Sequence, residues 1–422
     1  MAMQHEVRDP VHNFILFNDF EKRLIDSKPL QRLKHIKQLA LTCEVYPGAT
    51  HTRFEHSLGT MELATQAFDT IVRKRRALEK LNWSEDEISE YRQVLRIGAL
   101  LHDIGHAPFS HALQDLFPAG YKGHESFSEA FIRSDYIMPL LRRRTVSFVP
   151  DQVVAIALGP ERKPQEDASL QLLQEIVAGE LGVDRMDYLV RDALHSGAAP
   201  GRFDYHRLLN TLTVIEHPTT GTPVLAIEAG GLHAAEGLLL ARYFMFLQVY
   251  FHDVRRIYDC HLQDFLSAYL TDGHFPAQLD EYMQLTDDTV GAAITEAAAG
   301  GGRLADLALR LLHRNHYRLA KEITFQARAK DPEILEKLSD HLRTRFQDRV
   351  RTDEVGKDRH TPEEGKLYID RDDDTPEDIW LASQLIRSLQ PVWFGRIYAH
   401  RDAREEVRKS CDEFLEREGA PS

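Results

Sequence analysis

Apolar residues recur every three to four positions along much of the 422-residue chain, and this spacing predicts a mainly helical fold. The pattern is clearest in residues 57–81, 84–103 and 168–197, where an apolar stripe alternates with charged positions. Residues 84–103 begin with Ser84 and several acidic residues, which is typical of a helix start, and become increasingly apolar towards His102. We therefore expect the second half of this helix to enter the core.

Few segments carry a strand pattern. Residues 211–228 alternate apolar and polar positions around a Pro-Thr-Thr-Gly-Thr turn, which predicts a β-hairpin. From about residue 325 the pattern changes, and residues 367–370 and 393–400 are short strand candidates among helices. The chain is therefore predicted to be mainly α, with a helical core and one hairpin over residues 1–325 and a smaller C-terminal α+β lobe over residues 326–422.

Composition narrows the classes of protein and partner. A formal net charge of −14 argues against nonspecific binding to nucleic acid or to membranes, because both need a basic surface. No apolar run is long enough to span a bilayer, and the first residues lack the apolar core of a signal peptide. The cysteines are far apart and favour a reducing compartment over a disulfide framework: Cys43, Cys260 and Cys411. We therefore expect a cytoplasmic protein.

Residues 100–111, LLHDIGHAPFSH, place three histidines and one aspartate within twelve positions. His102 and Asp103 supply an imidazole nitrogen and a carboxylate oxygen, which together suit Mn, Fe, Co, Ni, Zn or Mg. Two ligands do not complete a tight site, and His56 and Asp184 are candidates for the others because each lies at a predicted loop–helix boundary. An isolated His-Asp pair is more often a hydrogen-bonded structural pair, and spacing alone does not join it to distant residues.

Six ordered segments resemble the HD-domain deoxynucleoside triphosphate triphosphohydrolases, from about residue 6 to about residue 320 and more weakly beyond. The segments are RDPVHNFI, SKPLQRLKHIKQL, YPGATHTRFEHSLGT, LLHDIGHAPFSH, GHESFSE and VDRMDYLVRDALHSG. The resemblance implies a helical HD-domain core that cleaves a dNTP to a deoxynucleoside and inorganic triphosphate. It also implies one divalent metal ion at the HD site, and it allows an additional Mg²⁺ bound to the triphosphate of the substrate.

Residue by residue, the resemblance implies four metal ligands: His56, His102, Asp103 and Asp184. Four further residues match polar catalytic residues of the family: His106, His111, His124 and Glu125. Of these, His111 is the candidate general acid for the leaving 5′ oxygen, since the pKa of histidine lies near neutrality. Gln114 stands where vertebrate members of the family have an aspartate, which leaves the carboxylate partner of His111 open.

The resemblance also implies substrate contacts. Three arginines, whose planar donor groups suit phosphate oxygens, match phosphate-binding positions: Arg53, Arg185 and Arg242. Residues that match the deoxyribose and base contacts are Gln38, Leu39, Tyr188, Asp192 and Tyr250. On helical spacing alone, Leu39, Tyr188 and Tyr250 fit core packing more readily than substrate contact.

Family members assemble as oligomers and bind regulatory nucleotides between subunits, so the resemblance implies a homodimer or homotetramer. Asp26 and Gln31 match guanine-reading residues of the vertebrate activator site, whereas Lys34 and the pair at residues 5–6 differ from it. The basic stretch at residues 313–318 adds cations in the same region, or forms a solvated helix face. We therefore expect a nucleotide activator at a subunit interface, but the differences argue against the same guanine-nucleotide activator as in the vertebrate members.

Two other functions remain open from the sequence. The same HD site can serve a phosphohydrolase for nucleoside monophosphates or cyclic nucleotides, although three arginines exceed the needs of one phosphate group. Alternatively, the chain can be a nucleotide-sensing assembly protein with little turnover.

Overall fold

The computed structural model describes residues 4–109, 113, 115–142, 149–357, 366–371 and 376–420. Helices dominate these residues, so the prediction of a mainly α fold is confirmed. The α-helices are α1 (Asp19–Ile25), α2 (Lys28–Arg32), α3 (Arg53–Arg73), α4 (Arg75–Leu81), α5 (Glu85–Leu101), α6 (His124–Arg133), α7 (Met138–Leu141), α8 (Pro150–Arg162), α9 (Ala168–Ala178), α10 (Val183–Ser196), α11 (Tyr205–Thr211), α12 (Leu232–Met245), α13 (Asp253–Tyr269), α14 (Leu279–Tyr282), α15 (Asp287–Ala299), α16 (Arg303–Leu311), α17 (Phe325–Lys330), α18 (Ile334–Phe346), α19 (Ile379–Ala382), α20 (Gln384–Ser388) and α21 (Arg404–Arg417).

The strands form small sheets. They are β1 (His5–Asp9), β2 (Asn13–Phe17), β3 (Leu212–Glu216), β4 (Pro223–Glu228), β5 (Arg318–Ile323), β6 (Val350–Lys357), β7 (Tyr368–Asp370), β8 (Pro376–Asp378) and β9 (Val392–Ala399). β1 and β2 pair with each other, and the other sheets have the orders β3-β4-β7-β8 and β5-β9-β6. β3 and β4 are antiparallel, with Leu212 opposite Ile227, so the predicted hairpin is confirmed.

The helix predicted over residues 57–81 is two helices. α3 begins earlier, at Arg53, and ends at Arg73, and Lys74 has extended backbone angles (φ −85°, ψ 112°) before α4 starts. Apolar periodicity continues across this break, which is why the sequence pattern does not reveal it. The helix start at Ser84 is confirmed, because the Ser84 side chain accepts from the Glu87 N–H and the Glu87 side chain accepts from the Ser84 N–H.

The core of the helical body lies where α3 packs against α5 and α10. Val94, Ile97 and Leu101 on the second half of α5 are fully buried, as the sequence predicts. In these three helices, the first turns of α3 and α10 meet the last turn of α5. The packing of the core therefore brings together residues that are far apart in the sequence.

A second hydrophobic core lies in the C-terminal part of the chain, between α18, α21 and the β5-β9-β6 sheet. β7 and α19 lie against the helical body, because β7 pairs with β4 and Ile369 and Ile379 belong to the main core. Arg256 on α13 forms an ion pair with Asp353 on β6 (Nη2 to Oδ1, 2.6 Å), which links the two cores. Among the described helices, none combines the length and the apolar character that crossing a bilayer requires.

Candidate metal centre and active site

Three helix ends place the predicted metal ligands. His56 lies in the first turn of α3, Asp184 lies in the first turn of α10, and His102 and Asp103 directly follow the last residue of α5. Thus the site is built at the ends of packed helices, where side chains can converge without interrupting the core.

The ligand atoms lie within a few ångströms of one another. His56 Nε2 is 3.0 Å from Asp184 Oδ1, and His102 Nε2 is 3.5 Å from the same oxygen and 3.4 Å from Asp103 Oδ1. Ligands about 2.1 Å from one cation are roughly 3 Å apart when they bind at right angles. His56, His102 and Asp184 are therefore spaced for a single divalent ion, while Asp103 lies beside His102 and also groups with His106 and His124.

The hydrogen bonds of both histidines fit a metal. His102 Nδ1 donates to the carbonyl of Ala99 (2.7 Å), and its buried Nε2 has no hydrogen-bond partner among the described residues. His56 Nδ1 bonds to Asp187 Oδ2 (2.8 Å), so its Nε2 also faces the cluster. Metal-binding histidines typically bind the ion through one nitrogen and donate from the other to a carbonyl or a carboxylate. An unpartnered buried nitrogen beside two carboxylates is a donor set for a divalent cation.

The cluster is electrostatically prepared for a cation. Burial opposes the charged form of His56, but the carboxylates of Asp184 and Asp187 outweigh burial and raise its pKa to about 10. Burial would raise the pKa of Asp103, but His102, His106 and Arg53 hold it well below its ordinary value. The carboxylates of Asp103 and Asp184 are therefore charged at neutral pH, and a bound metal ion would take the place of a proton on His56.

Asp187 hydrogen-bonds to the candidate ligand His56 on the side away from the other ligands, and it was not identified from the sequence. Besides His56, its carboxylate accepts from His12 Nε2 (2.6 Å) and from Arg191 Nε (2.8 Å). Arg191 also bonds to Asp9 (2.8 Å), so this buried network ties the N-terminal hairpin to α10. Asp184, Asp187 and Arg191 are spaced i, i+3, i+7 on one helix face, and this is the signal that could have revealed them.

We expect Asp187→Asn to weaken Mn²⁺ binding about 10–100-fold, because the amide no longer holds the His56 ring through a charged acceptor. Isothermal titration calorimetry of the metal-free protein with Mn²⁺ measures this change in affinity. Asp288→Asn is the matched control, since Asp288 also bonds to a histidine, His35 (2.7 Å), but on the surface. Equal affinities in the two variants would contradict the assignment.

Three of the four predicted catalytic residues extend in sequence from Asp103: His106, His124 and Glu125. His106 Nε2 is 3.2 Å from Asp103 Oδ1, and the His106 ring stacks on the ring of His124 (centroids 3.7 Å apart). Glu125 Oε2 is 3.6 Å from His124 Nδ1. These residues therefore form one row that leads away from the metal ligands. His111 and Gln114 lie outside the described residues.

The turn that carries His106 is anchored by Asp287 at the start of α15. Asp287 accepts from the Phe109 N–H (2.8 Å) and from the Lys37 N–H (3.0 Å). Arg32 Nη1 donates to the carbonyl of His106 (2.9 Å). The backbone after α5 is thus fixed by buried polar bonds to distant segments.

Asp287 gives the stability of the protein a defined pH dependence. Burial raises the pKa of its carboxyl from 3.8 to about 6, although both backbone N–H donors oppose the shift. Between pH 4 and pH 6 the folded protein therefore holds a proton here that the unfolded chain has lost, so this group lowers stability as the pH rises. We expect its contribution to the free energy of unfolding to fall by about 2–3 kcal/mol across this window. Urea denaturation of wild type and Asp287→Asn at several pH values measures it, and parallel pH profiles would contradict it.

The predicted phosphate ligands lie around the same cluster. Arg53 forms an ion pair with Asp103, and Arg185 Nη1 forms one with Glu180 (2.8 Å). Burial lowers the pKa of Arg242, with a further lowering from Arg185, and Arg242 Nε has no partner among the described residues. A buried, incompletely bonded guanidinium beside a second one provides a place for an anion.

The predicted sugar contacts meet at Asp192. Tyr250 donates its hydroxyl to Asp192 Oδ2 (2.7 Å), and the Tyr188 ring meets the Tyr250 ring edge to face (centroids 6.3 Å apart). Residues 246–250 form a turn of π-helix that continues α12. This turn carries Tyr250, while Arg242 lies on α12 itself. π-turns often occur at functional sites.

Gln38 and Leu39 are buried, and the Gln38 N–H donates to the carbonyl of His51 (2.9 Å). Leu39 belongs to the main hydrophobic core. The candidate activator residues lie elsewhere. Gln31 Nε2 donates to the carbonyl of Ile25 (2.7 Å), and Lys34 lies over the Phe54 ring.

Two family models match the chain in succession. The HD domain matches residues 53–191, and the HD-associated region matches residues 203–354. The first match contains all four candidate metal ligands. The second contains Arg242 and Tyr250.

Three known proteins show the extent of the likeness. The Bos taurus protein named deoxynucleoside triphosphate triphosphohydrolase SAMHD1 is 35% identical over 240 residues, which are 50% of this chain and 38% of that protein. The crystal structure of a hypothetical protein from Aquifex aeolicus has a TM-score of 0.79 at 32% identity and covers 96% of this chain and 99% of that chain. A phosphohydrolase from Bacteroides thetaiotaomicron has a TM-score of 0.73 at 26% identity and covers 94% of this chain and 100% of that chain. The chain spans about half the length, or less, of the curated relatives that it matches.

Proposed function

Because the chain belongs to the HD-domain proteins, we propose that it is a metal-dependent deoxynucleoside triphosphate triphosphohydrolase. The reaction cleaves a dNTP to a deoxynucleoside and inorganic triphosphate. The similarity to the bovine SAMHD1 protein supports this choice of substrate. The similarity to the Bacteroides phosphohydrolase supports the broader class of reaction.

One observation carries the proposal. The unpartnered Nε2 of His102 faces the carboxylate oxygens of Asp103 and Asp184, which are charged at neutral pH. Arg53 is ion-paired with Asp103, and the buried Arg242, with one unbonded nitrogen, lies near Arg185. A site that holds a cation and cationic side chains together suits a substrate with several negative charges, because a triphosphate can bind both. A single phosphate would leave part of this positive charge unmatched.

His56, His102, Asp103 and Asp184 would hold one divalent ion, which would polarise a phosphate oxygen and lower the pKa of a bound water. Arg185 and Arg242 would bind the triphosphate and stabilise the charge that develops on it. The stacked pair of His106 and His124 would direct a proton towards the leaving 5′ oxygen, with His111 as the proposed donor.

The substrate would be oriented by its sugar. The Tyr188 ring would pack against the deoxyribose, where a 2′-hydroxyl would be crowded out. Asp192 would accept a hydrogen bond from the 3′-hydroxyl. These contacts would place the 5′ oxygen towards His106 and the metal ligands.

Product analysis tests the proposal. The protein is incubated with each dNTP and Mn²⁺ or Mg²⁺, and the products are resolved by chromatography. Deoxynucleoside and triphosphate are expected. Deoxynucleoside monophosphate with pyrophosphate, or no turnover of any dNTP with any metal, would contradict it. A dAMP arm beside dATP separates a monophosphate hydrolase from the proposed enzyme.

We also propose a homodimer or homotetramer that is open to activation by a nucleotide. Light scattering of the purified protein measures the assembly. Activation is measured by comparing the turnover of each dNTP alone with its turnover in a dNTP mixture. If one nucleotide in the mixture is an activator, the other dNTPs are hydrolysed faster than when each is alone. A monomer with identical rates in both conditions would contradict this proposal.

A further inference from the structure

A buried histidine that neither the metal centre nor the proposed reaction uses lies against the sugar contacts. The His51 side chain has no solvent exposure, and its Nε2 donates to Asp192 Oδ1 over 2.7 Å. Tyr250 donates to the other oxygen of the same carboxylate over the same distance. Each oxygen of Asp192 therefore receives one directed hydrogen bond, and together these bonds fix the plane of the carboxylate.

The position of His51 is itself tightly held. Its ring stacks on the ring of His195, with centroids 4.4 Å apart and an angle of 18° between the planes. Its backbone carbonyl accepts from the Gln38 N–H (2.9 Å). His51 Nδ1 is buried and has no partner among the described residues, so the polar contact of this imidazole is with Asp192. The ring therefore presents one N–H to one carboxylate oxygen.

We propose that His51 is a positioning residue through which Asp192 recognises the 3′-hydroxyl of the substrate sugar. This inference rests on the proposed function. A carboxylate oxygen can accept two hydrogen bonds, so each oxygen of Asp192 keeps a lone pair after His51 and Tyr250 have bonded to it. A carboxylate held in a fixed orientation binds an incoming hydroxyl without first losing rotational freedom. His51 thereby contributes to the choice of substrate without touching it.

The test compares substrates with and without the 3′-hydroxyl. The ratio of kcat/KM for a dNTP to kcat/KM for its 2′,3′-dideoxy counterpart is measured in wild type, His51→Phe and His195→Phe. We expect wild type to prefer the dNTP about 10–100-fold, as for a hydroxyl that bonds to a charged acceptor. The preference should disappear in His51→Phe, which keeps a ring for stacking but lacks the N–H. It should persist in His195→Phe, which keeps the stack and leaves the hydrogen bond from His51 to Asp192 in place.

A second pair of variants serves if His51→Phe does not fold. His51→Gln retains an N–H that can reach Asp192, whereas the shorter side chain of His51→Asn cannot reach it. We expect the preference for the 3′-hydroxyl to be kept by the glutamine and lost by the asparagine. A structural role alone would change the thermal midpoint in these variants but not this ratio.

The outcomes separate the two proposals. If wild type hydrolyses no dNTP, the proposed function fails and this inference fails with it. If wild type hydrolyses dNTPs but does not distinguish the dideoxy substrates, the inference and the proposed 3′-hydroxyl contact fail, while the proposed reaction stands. The inference fails as well if folded His51→Phe keeps the wild-type ratio, or if the glutamine and asparagine variants have equal ratios.

Discussion

His102→Ala is expected to lose metal binding and, with it, hydrolysis of dNTPs. The substitution removes the nitrogen that faces the carboxylates of both Asp103 and Asp184. The loss in Mn²⁺ affinity should exceed about 100-fold, which is the upper range for substitutions of residues that only hydrogen-bond to a metal ligand. Calorimetric titration with Mn²⁺ measures the affinity, and product formation from dATP measures the activity.

The matched control is His233→Ala. The His233 side chain is 92% exposed, so its removal costs neither packing nor a metal ligand. The circular dichroism spectrum of His102→Ala should match that of wild type, because the removed Nδ1 bond to Ala99 lies at the end of α5. Full metal occupancy in folded His102→Ala would disprove the assignment of this histidine as a ligand.

Arg96→Met is expected to lower the free energy of unfolding by about 3–5 kcal/mol. Arg96 is buried and bonds to both oxygens of Glu21 (2.5 and 3.0 Å) and to the carbonyl of Leu16 (2.8 Å). Methionine fills a similar volume but leaves the Glu21 carboxylate buried without its charged partner, although the Asn18 N–H still donates to it (2.9 Å). Leaving one buried charge unpaired costs far more than the pair itself contributes. Such a loss is a large share of the stability of a typical domain. Urea denaturation at pH 7 measures it.

Arg92→Met is the control, one helical turn away on α5. Arg92 also bonds to both oxygens of a carboxylate, Asp69 (2.7 and 2.9 Å), but both side chains are about one-third exposed. Solvent screens this pair, so we expect a loss below about 1 kcal/mol. Equal losses in the two variants would show that burial is not what distinguishes the two ion pairs.

The candidate metal ligands illustrate what a sequence can reveal. His102 and Asp103 are identifiable as a candidate pair because they are adjacent and follow an apolar helix. Their meeting with His56 and Asp184 depends on how α3, α5 and α10 pack, and the spacing of residues does not encode such packing. The resemblance to a known family supplied this expectation, and the structure places His56 beside Asp184 and His102 beside both aspartates.

The supporting residues were harder to find. Asp187 and Arg191 share a helix face with Asp184, yet the same pattern is common on solvent-exposed helices. Only the approach of His12 and Asp9 from the N-terminal hairpin turns them into a buried network. That hairpin was not predicted either, because its strands are only five residues long and carry polar residues at several positions. Long-range pairing, rather than local propensity, decides both features.

The π-turn at residues 246–250 sets the angular phase between Arg242 and Tyr250. Each residue of an α-helix advances the side-chain direction by about 100°, and a π-turn accommodates one additional residue. If the same residues formed a regular α-helix instead, the additional residue would turn Tyr250 about 100° further around the axis and away from Asp192, while Arg242 would keep its place. The π-turn, and not only the composition of this segment, therefore keeps the candidate phosphate and sugar contacts in register.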